Sequence, residues 1–319
     1  MIYCEYLFFI KAGTRSGLGH LRRSLAIATR LKNSEKSIFF LIDGDQVSMN
    51  LLKDIGFEAA RYSKASLNIL KPTVSIIDRK GDVSAQIKVL RSKGSKICLI
   101  DNTSKARLIS DIVIYPVSHF KDALSWKGFK GKKYIGAKYF PLNEEFLKLK
   151  PKNHKIFTLL VTMGGSDPNK LTEKVAKALQ LSDEKFKAII VLGAGSKKQR
   201  IPKDRRFKVV RNPKSIADLM EGSDMSLTAF GTSLYELSYM KVPALILSNF
   251  AREKPEVDRF AAKGTAVNLG YYKDVTEEKI RRTFERLMAD HHILTNMRKK
   301  CNFVDKFGAQ RIIKALSRS

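Results

Sequence analysis

Short apolar runs alternate with helical patterns along most of the chain. The first run, residues 2–10, is rich in aromatic and β-branched residues and predicts a buried strand. Residues 20–32 repeat their apolar positions at helical spacing and predict an amphipathic helix. The same alternation continues through 37–43, 46–55, 57–62, 74–78, 84–94, 96–101 and 111–116. It favours an α/β fold with a parallel sheet covered by helices on both faces.

The alternation breaks over 117–155 and then starts again. That stretch is basic, with one strand-like run at 134–140, and it indicates the end of a first domain and a linker. Strands follow at 155–163, 187–193, 207–212, 225–230, 243–248 and 265–270, with helices at 169–181, 213–222, 232–241, 276–290 and 305–319. We therefore predict two Rossmann-like domains, 1–150 and 151–319, facing across a cleft, with a last helix able to pack back on the first. Such sheets bind ligands at the carboxyl ends of their strands.

Candidate chemistry appears first in the turn after the first predicted strand. Gly17 and Gly19 would expose backbone N–H groups at a helix N-terminus, which favours an anionic ligand. A histidine there, His20, could act as a general base or acid. The competing interpretation is a structural turn in which the histidine caps its own helix. Arg22 and Arg23 occupy the region where the dinucleotide pattern G-x-G-x-x-G needs a small residue, so that pattern is excluded.

A second glycine turn follows the strand predicted at 155–163. Gly164, Gly165 and Ser166 would again present open backbone amides before a helix. Asp167 or Asn169 is placed to cap that helix. A plain capping turn is the alternative interpretation.

A third turn, at 229–238, joins hydroxyl groups to a carboxylate. Gly231 follows a predicted strand, and Thr232 and Ser233 open a helix whose amides and hydroxyls could hold phosphate. Glu236, one turn further, could accept hydrogen bonds from ribose hydroxyls, as acidic residues do in other nucleotide sites. The three-residue spacing also suits a capping box closed by Glu236, and this alternative stays open.

The composition adds a strong positive charge. The 319 residues include 60 Lys and Arg against 31 Asp and Glu, a net charge of +29, which implies an anionic partner or a generally basic surface. The basic residues are dispersed rather than gathered into a compact module with interleaved aromatic residues, so we do not expect nucleic acid as a partner. Peripheral contact with an anionic membrane is compatible with this charge.

Several other classes of function find no support in the sequence. The three cysteines and five histidines form no metal-ligand spacing and no disulfide framework, so we expect neither metal nor cofactor. No secretory signal and no spanning apolar segment are seen. We therefore expect a cytoplasmic protein, with the inner face of the membrane as a further place of action.

Taken in order, the motifs resemble those of the glycosyltransferase-B superfamily. The closest resemblance is to the UDP-sugar hydrolases of pseudaminic acid biosynthesis and to spore-coat polysaccharide glycosyltransferase-like proteins. It covers nearly the whole chain and rests on several stretches: GLGHLRRSLAIA (17–28), VSIID (74–78), ICLIDN (97–102), YIGAKYFPLNEEF (134–146), VTMGGSDPNKLTEKVAKAL (161–179), SDMSLTAFGTSLYELSYMKVPALIL (223–247) and VDKFGAQRIIKAL (304–316).

This resemblance implies roles for individual residues. His20 matches the catalytic histidine that activates the attacking group for inversion at the anomeric carbon. The other matches are the sugar-side residues Gly17, Gly19, Arg23 and Asp78, the nucleotide-side turn Gly165, Ser166 and Asp167, the diphosphate turn Gly231, Thr232 and Ser233, and the ribose acid Glu236. The family offsets the leaving diphosphate's charge with helix N-termini and basic groups, without a bound metal.

The sequence departs from the hydrolase pattern at two places where the resemblance implies contact with the sugar and the acceptor. The motif Asp-x-Tyr becomes Asp78-Arg79-Lys80, and Arg252 and Glu253 replace an Asn-Gln pair. Hydrolysis of a UDP-linked, acetamido-modified sugar is the first hypothesis. An inverting glycosyltransferase with a sugar or lipid-linked acceptor is the alternative. A non-catalytic nucleic-acid-binding or scaffold protein is the third, since a fold alone proves no activity.

Overall fold

Each of the two predicted α/β sets forms an all-parallel sheet. A computed structural model describes residues 1–13, 17–116, 124–149 and 156–317, so parts of the predicted linker at 117–155 lie outside the described residues. The chain divides into two units: unit 1 is Met1–Asn143 with Asp305–Ser319, and unit 2 is Glu144–Val304.

Unit 1 is built on a seven-stranded sheet in the order β3-β2-β1-β4-β5-β6-β7. Its strands are β1 (Ile2–Ala12), β2 (Ile38–Gly44), β3 (Glu58–Arg61), β4 (Leu70–Asp78), β5 (Lys96–Ile100), β6 (Ile112–Tyr115) and β7 (Lys132–Ile135). The helices between them are α1 (Gly19–Lys32), α2 (Gln46–Asp54), α3 (Lys64–Ile69) and α4 (Ser84–Arg91), and short 3₁₀ turns cover Lys105–Ile109 and Ala137–Tyr139. Strand order reverses between β1 and β4, so the topological switch point lies between these two strands.

Alternate residues of β1 supply the cores on the two faces of this sheet. Phe8 and Ile10 join the core on one face together with Leu21 from α1. Leu7 and Phe9 join the core on the opposite face. This alternation is the two-residue period of a strand buried on both sides.

Unit 2 has a six-stranded sheet in the order β10-β9-β8-β11-β12-β13. The strands are β8 (Thr158–Thr162), β9 (Lys187–Leu192), β10 (Phe207–Arg211), β11 (Met225–Ala229), β12 (Ala244–Ser248) and β13 (Ala266–Tyr271). The helices are α5 (Glu144–Leu147), α6 (Leu171–Gln180), α7 (Ile216–Glu221), α8 (Ser233–Tyr239), α9 (Lys254–Ala261), α10 (Glu277–Ala289) and α11 (His291–Lys300). Here the switch point lies between β8 and β11.

The chain returns to unit 1 with its last helix, α12 (Gly308–Ser317). Ile312 and Leu316 of this helix are buried in the same core as α1. Gly308 lies directly against the Phe140 carbonyl, where a side chain would not fit, and Arg311 pairs with Asp305 at 2.6 Å. These contacts fix α12 on the α1 face of the unit 1 sheet.

Candidate functional site

The turn between β1 and α1 holds His20 at the carboxyl end of the unit 1 sheet. Gly17 has φ +81°, a left-handed conformation that favours glycine, and its carbonyl accepts a hydrogen bond from the Gly13 amide. Helix α1 begins at Gly19, and no side chain caps its first turn. His20 therefore does not cap its own helix, and its ring contacts β4 instead.

His20 forms a pair with Asp78, the last residue of β4. The distance from His20 Nδ1 to Asp78 Oδ1 is 2.7 Å. Arg23 Nη2 lies 3.0 Å from the same Nδ1 atom, so two contacts compete for it. An ionised carboxylate only accepts hydrogen bonds, and the shorter contact, with Asp78, assigns the proton to Nδ1. The neutral imidazole then has its lone pair on Nε2, and no described residue contacts that atom through a hydrogen bond. This tautomer is the one that a general base needs.

Arg23, one helical turn after His20, joins two aspartates. Its Nε and Nη2 atoms donate to the two carboxylate oxygens of Asp78, and Nη1 donates to Asp101. Residues three apart in a helix share a face, which is why Arg23 and His20 reach the same carboxylate. Arg23 is 4% exposed and Asp78 is fully buried, so their ion pair is almost entirely shielded from water, whereas Asp101 is 14% exposed.

Burial and charge act in opposite directions on Asp78. Burial alone would raise its pKa, but the charge of Arg23, the charge of His20 in its protonated form and the hydrogen bonds of both lower the pKa to about 2. Burial lowers the pKa of Arg23, and the neighbouring carboxylates more than offset that and raise it. Both side chains therefore stay charged over the physiological range.

Strand order brings these groups together. β4 pairs with β1 on one side and with β5 on the other. Asp78 ends β4 and Asp101 follows β5, so both lie at the carboxyl edge beside the β1–α1 turn. This edge, next to the switch point, is where open α/β sheets bind their ligands.

Sequence reasoning named Gly17, Gly19, His20, Arg23 and Asp78, and the structure brings His20, Arg23 and Asp78 into contact. It missed Asp101, which appeared only inside the 97–102 stretch. A usable signal was present, because Asp101 follows an apolar strand just as Asp78 ends the strand before it.

The Gly164–Asp167 turn of unit 2 follows β8, at that sheet's switch point. Asp167 is buried, and it accepts hydrogen bonds from the Leu171 and Thr172 amides at 2.8 and 3.0 Å. Gln199 donates to the same carboxylate at 2.8 Å. Lys170 occupies the N-cap position without a side-chain hydrogen bond, so Asp167 caps α6 from outside the helix by accepting from its first two amides.

A neighbouring turn supports the glycines of this one. Gly195 donates from its amide to the Gly165 carbonyl at 2.9 Å. A Cβ placed on Gly193 would lie 2.6 Å from Gly165 Cα, so only glycine fits there. The turn after β9 therefore holds Gly164 and Gly165 in place, and Ser166 lies half-buried beside them.

The Gly231–Glu236 turn follows β11, the other strand at this switch point. Thr232 precedes α8 with helical dihedral angles and makes no side-chain capping hydrogen bond. Thr232 therefore does not act as a side-chain cap, and Ser233 is the first residue inside the helix rather than its cap. Gly231 has open space where a Cβ would be, Thr232 and Ser233 are half-buried, and Glu236 is 7% exposed.

The residues that depart from the hydrolase pattern do not take part in the His20–Asp78–Arg23 contacts or in the two turns of unit 2 described above. Arg79 lies over the Phe9 ring, in the core on the face of the sheet opposite His20, and pairs with Asp43 at 2.9 Å. Arg252 stacks on the exposed Phe250 ring. Glu253 accepts hydrogen bonds from the Asn249 and Phe250 amides, and burial raises its pKa. Among the described residues, no group of His, Cys, Asp and Glu is placed to hold a metal ion.

Comparison with known proteins identifies relatives of moderate similarity. An uncharacterized protein of Methanocaldococcus jannaschii is 26% identical over 289 residues, which span 81% of this chain and 58% of that protein. The spore coat polysaccharide biosynthesis protein SpsG of Bacillus subtilis is 26% identical over 315 residues, 91% of each chain. A Helicobacter pylori protein named pseudaminic acid cytidylyltransferase and UDP-2,4-diacetamido-2,4,6-trideoxy-beta-L-altropyranose hydrolase is 23% identical over 280 residues, covering 85% of this chain and 48% of that one. No protein-family model matches.

The chain spans about half the length of the archaeal and Helicobacter relatives, and nearly all of SpsG. Among solved structures, MurG of Acinetobacter baumannii superposes with a TM-score of 0.70 at 13% identity over 99% of this chain and 100% of that one. The calicheamicin glycosyltransferase CalG4 gives 0.67 at 14% identity over 100% and 99%. The chain has the GT-B fold. The two predicted Rossmann-like domains are confirmed, and the relatives include a named nucleotide-sugar hydrolase.

Proposed function

We propose that this chain is an enzyme that cleaves the bond between the anomeric carbon and the diphosphate oxygen of a UDP-linked sugar. The observation that carries the proposal is the His20–Asp78 contact. With the proton of the His20 ring on Nδ1, the Nε2 atom can accept a proton from the attacking group. Names among the relatives support it, since they include a UDP-sugar hydrolase and a polysaccharide biosynthesis protein.

The proposed step starts with an O–H group beside His20. Nε2 takes its proton while the oxygen attacks the anomeric carbon from the side opposite the diphosphate, which gives inversion. The C–O bond to the diphosphate breaks, and its electron pair leaves with UDP. The imidazolium that forms is stabilised by Asp78, and this is the role of an acid that orients a catalytic histidine.

The nucleotide end is assigned to unit 2. Thr232 and Ser233 hydroxyls and the nearby amides suit a diphosphate, and Glu236 suits the ribose hydroxyls. Gly231 leaves room for close approach of a ligand to the backbone. Gly165 and Ser166 lie at the end of β8, the neighbour of β11 in the sheet, while Asp167 positions that turn.

Water is our first choice for the attacking group, with an acetamido-modified sugar as substrate. The alternative is an inverting glycosyltransferase, and one observation favours it. Position 80 is Lys rather than the Tyr of the hydrolase motif, and Arg79 before it is turned to Asp43. The acceptor region therefore differs from that of the hydrolases that the chain resembles.

A panel of UDP-sugars, with and without sugar or lipid-linked acceptors, separates the two reactions. Release of UDP without an acceptor supports hydrolysis, and release only with an acceptor supports transfer. No release from any donor, together with no UDP binding by calorimetry, would refute both. Glu236→Gln should weaken UDP binding, whereas Glu277→Gln on helix α10 of the same unit serves as the matched control.

A basic strip on unit 2, residues 187–214, supports peripheral contact with an anionic membrane. Between Lys187 and Lys214 the only acidic residue is Asp204, which pairs with Arg206. Exposed cations of this strip are Lys197, Lys198, Arg200, Lys203, Arg205, Lys208 and Arg211. Within the part of the chain that the structure describes, no helix is long and apolar enough to cross a membrane.

Vesicle flotation tests this contact. Anionic vesicles should carry the protein and neutral vesicles should not, and added salt should reverse the binding. Charge reversal at Lys198 and Lys208 should abolish it, whereas reversal at the exposed Lys53 and Lys64 of unit 1 should not. Stronger binding to RNA than to anionic vesicles would contradict our expectation that nucleic acid is not a partner.

A further inference from the structure

Asp101 is a partly buried acid, 14% exposed, beside the His20–Asp78 pair, and the proposed reaction gives it no role. One oxygen, Oδ2, accepts from Arg23, and the other, Oδ1, is buried without a hydrogen-bond partner among the described residues. Its backbone has φ +52°, an uncommon conformation for a residue other than glycine. The Asp101 amide donates to the Ile114 carbonyl at 3.0 Å, which holds the residue at this edge of the sheet.

We infer that Asp101 is a positioning residue that raises the proton affinity of His20 by balancing the charge of Arg23. The consequence for catalysis rests on the proposed function, but the charge effect itself does not. Asp101 has no hydrogen bond to His20 and acts through the guanidinium that lies between the two carboxylates.

A count of the charges in the cluster of His20, Arg23, Asp78 and Asp101 gives the reason. With Arg23 positive and both aspartates negative, the three side chains sum to one negative charge. When His20 takes a proton, the four-residue cluster becomes neutral. Without Asp101, the cluster is neutral before proton transfer and positive after it. Charge is costly where water is excluded, so the second carboxylate makes proton transfer to His20 easier.

Hydrogen bonding supports the same division of roles. Arg23 gives Nε and Nη2 to Asp78 and Nη1 to Asp101, so its charge is shared between two carboxylates. A guanidinium held by Asp78 alone would cancel most of the negative charge that His20 experiences. Asp101 therefore leaves part of the Asp78 charge available to the imidazole.

Other nearby groups do not supply this charge. Burial raises the pKa of the Cys98 thiol in β5 and the Tyr115 hydroxyl in β6, so both are neutral. Helix α1 packs on β1, β2 and α12. The charged side chains of those elements are paired or exposed elsewhere: Glu5 with Lys36, Asp43 with Arg79, Arg311 with Asp305, and Lys11 and Lys314 at the surface.

The direct test is an NMR titration of the His20 ring, which needs no substrate. The His20 signal is assigned by its absence from His20→Asn. In Asp101→Asn the midpoint of the His20 titration should fall by about one pH unit, the size expected for loss of a charge that acts through one intervening side chain. Asp111→Asn removes an aspartate that is also paired with an arginine but lies at the surface, and it should leave the midpoint unchanged.

Two further variants keep the test decisive. Asp101→Glu retains the charge and should retain the wild-type midpoint. Asp101→Ser is a second neutral variant and should reproduce the fall seen in Asp101→Asn, so the test survives if one neutral variant does not fold. An unchanged midpoint in a folded neutral variant would overturn the inference.

Failure of the inference is distinguishable from failure of the proposed function. If UDP is released, the acid limb of the rate profile should move with the NMR midpoint in Asp101→Asn. Normal UDP release with an unmoved midpoint would overturn the role of Asp101 and leave the function standing. A shifted midpoint in a protein that releases no UDP would support the charge effect and refute the function.

Discussion

Replacement of Arg23 by Met should strongly destabilise unit 1. Methionine keeps much of the length of the arginine side chain but has no charge, so Asp78 and Asp101 lose the cation that they share. Arg23 is 4% exposed and Asp78 is fully buried, so water cannot replace the contacts that Asp78 loses. Removal of one partner from a buried ion pair costs about 3–5 kcal/mol.

The pH dependence gives this prediction a sign. In the wild type the folded pKa of Asp78 is about 2, below its value in the unfolded chain, about 4. This difference contributes about 2 kcal/mol of stability above pH 4, and that contribution is lost as the pH falls through about 2. In Arg23→Met, burial without a cation raises the pKa of Asp78, so protonation in acid removes the buried unpaired charge. The difference in unfolding free energy between the wild type and Arg23→Met should therefore be largest at neutral pH and should become smaller in acid.

Urea unfolding followed by tryptophan fluorescence is the appropriate assay. The chain has one tryptophan, Trp126 in unit 1, which packs against Tyr115 and Phe129. It therefore reports on unit 1, even if the two units unfold separately. For an m value of about 2 kcal/mol per M, the midpoint should fall by about 2 M.

Arg91→Met is the matched control for this experiment. Arg91 also pairs with an aspartate of unit 1, Asp111, but is 47% exposed, and loss of such a surface pair costs about 1 kcal/mol or less. Equal midpoints for Arg23→Met and Arg91→Met at neutral pH would refute the account of a buried, mutually dependent cluster.

Three other substitutions test unit 2. Gly193→Ala should lower the thermal midpoint, because its methyl group would press on Gly165 at a cost of about 1–3 kcal/mol; an unchanged midpoint would show that the two turns do not support each other. Gly231→Ala has open space and should keep the stability but weaken UDP binding by calorimetry, and full affinity would argue against a ligand close to that backbone. Asp167→Ala should cost about 1–2 kcal/mol through loss of the α6 cap, a loss that Asp183→Ala on an exposed loop should not reproduce.

The alternation of apolar runs was sufficient to predict the fold but not every element. Strand prediction over 134–140 was wrong after Ile135, because Gly136 has φ +117° and the chain then makes a 3₁₀ turn. Helix α3 was not predicted, since six residues are too few to show a helical period. Helix α11 was also not predicted; it starts directly after α10, with Asp290 as its cap, and its period merges with that of its neighbour.

The site shows the same limit in another form. The glycine turn and His20 could be recognised locally, because their signal lies within a few adjacent residues. The contact with Asp78 joins residues 58 positions apart, and only the order of strands in the sheet makes it possible. Asp101 was missed for that reason, since no local pattern shows that β5 lies beside β4. At 167–169 the sequence left two caps open, and the structure uses Asp167 for α6 while Asn169 donates to Asn249.

The central claim is that His20 is the base for cleavage of a UDP-linked sugar. The measurement that tests it most directly is kcat/KM for UDP release by His20→Asn, compared with His291→Asn, which changes an exposed histidine of unit 2. With the best donor of the panel, His20→Asn should lose about 10²–10⁴-fold, the usual contribution of general base catalysis, and should still bind UDP. His291→Asn should retain wild-type turnover. Full turnover by His20→Asn would contradict the account.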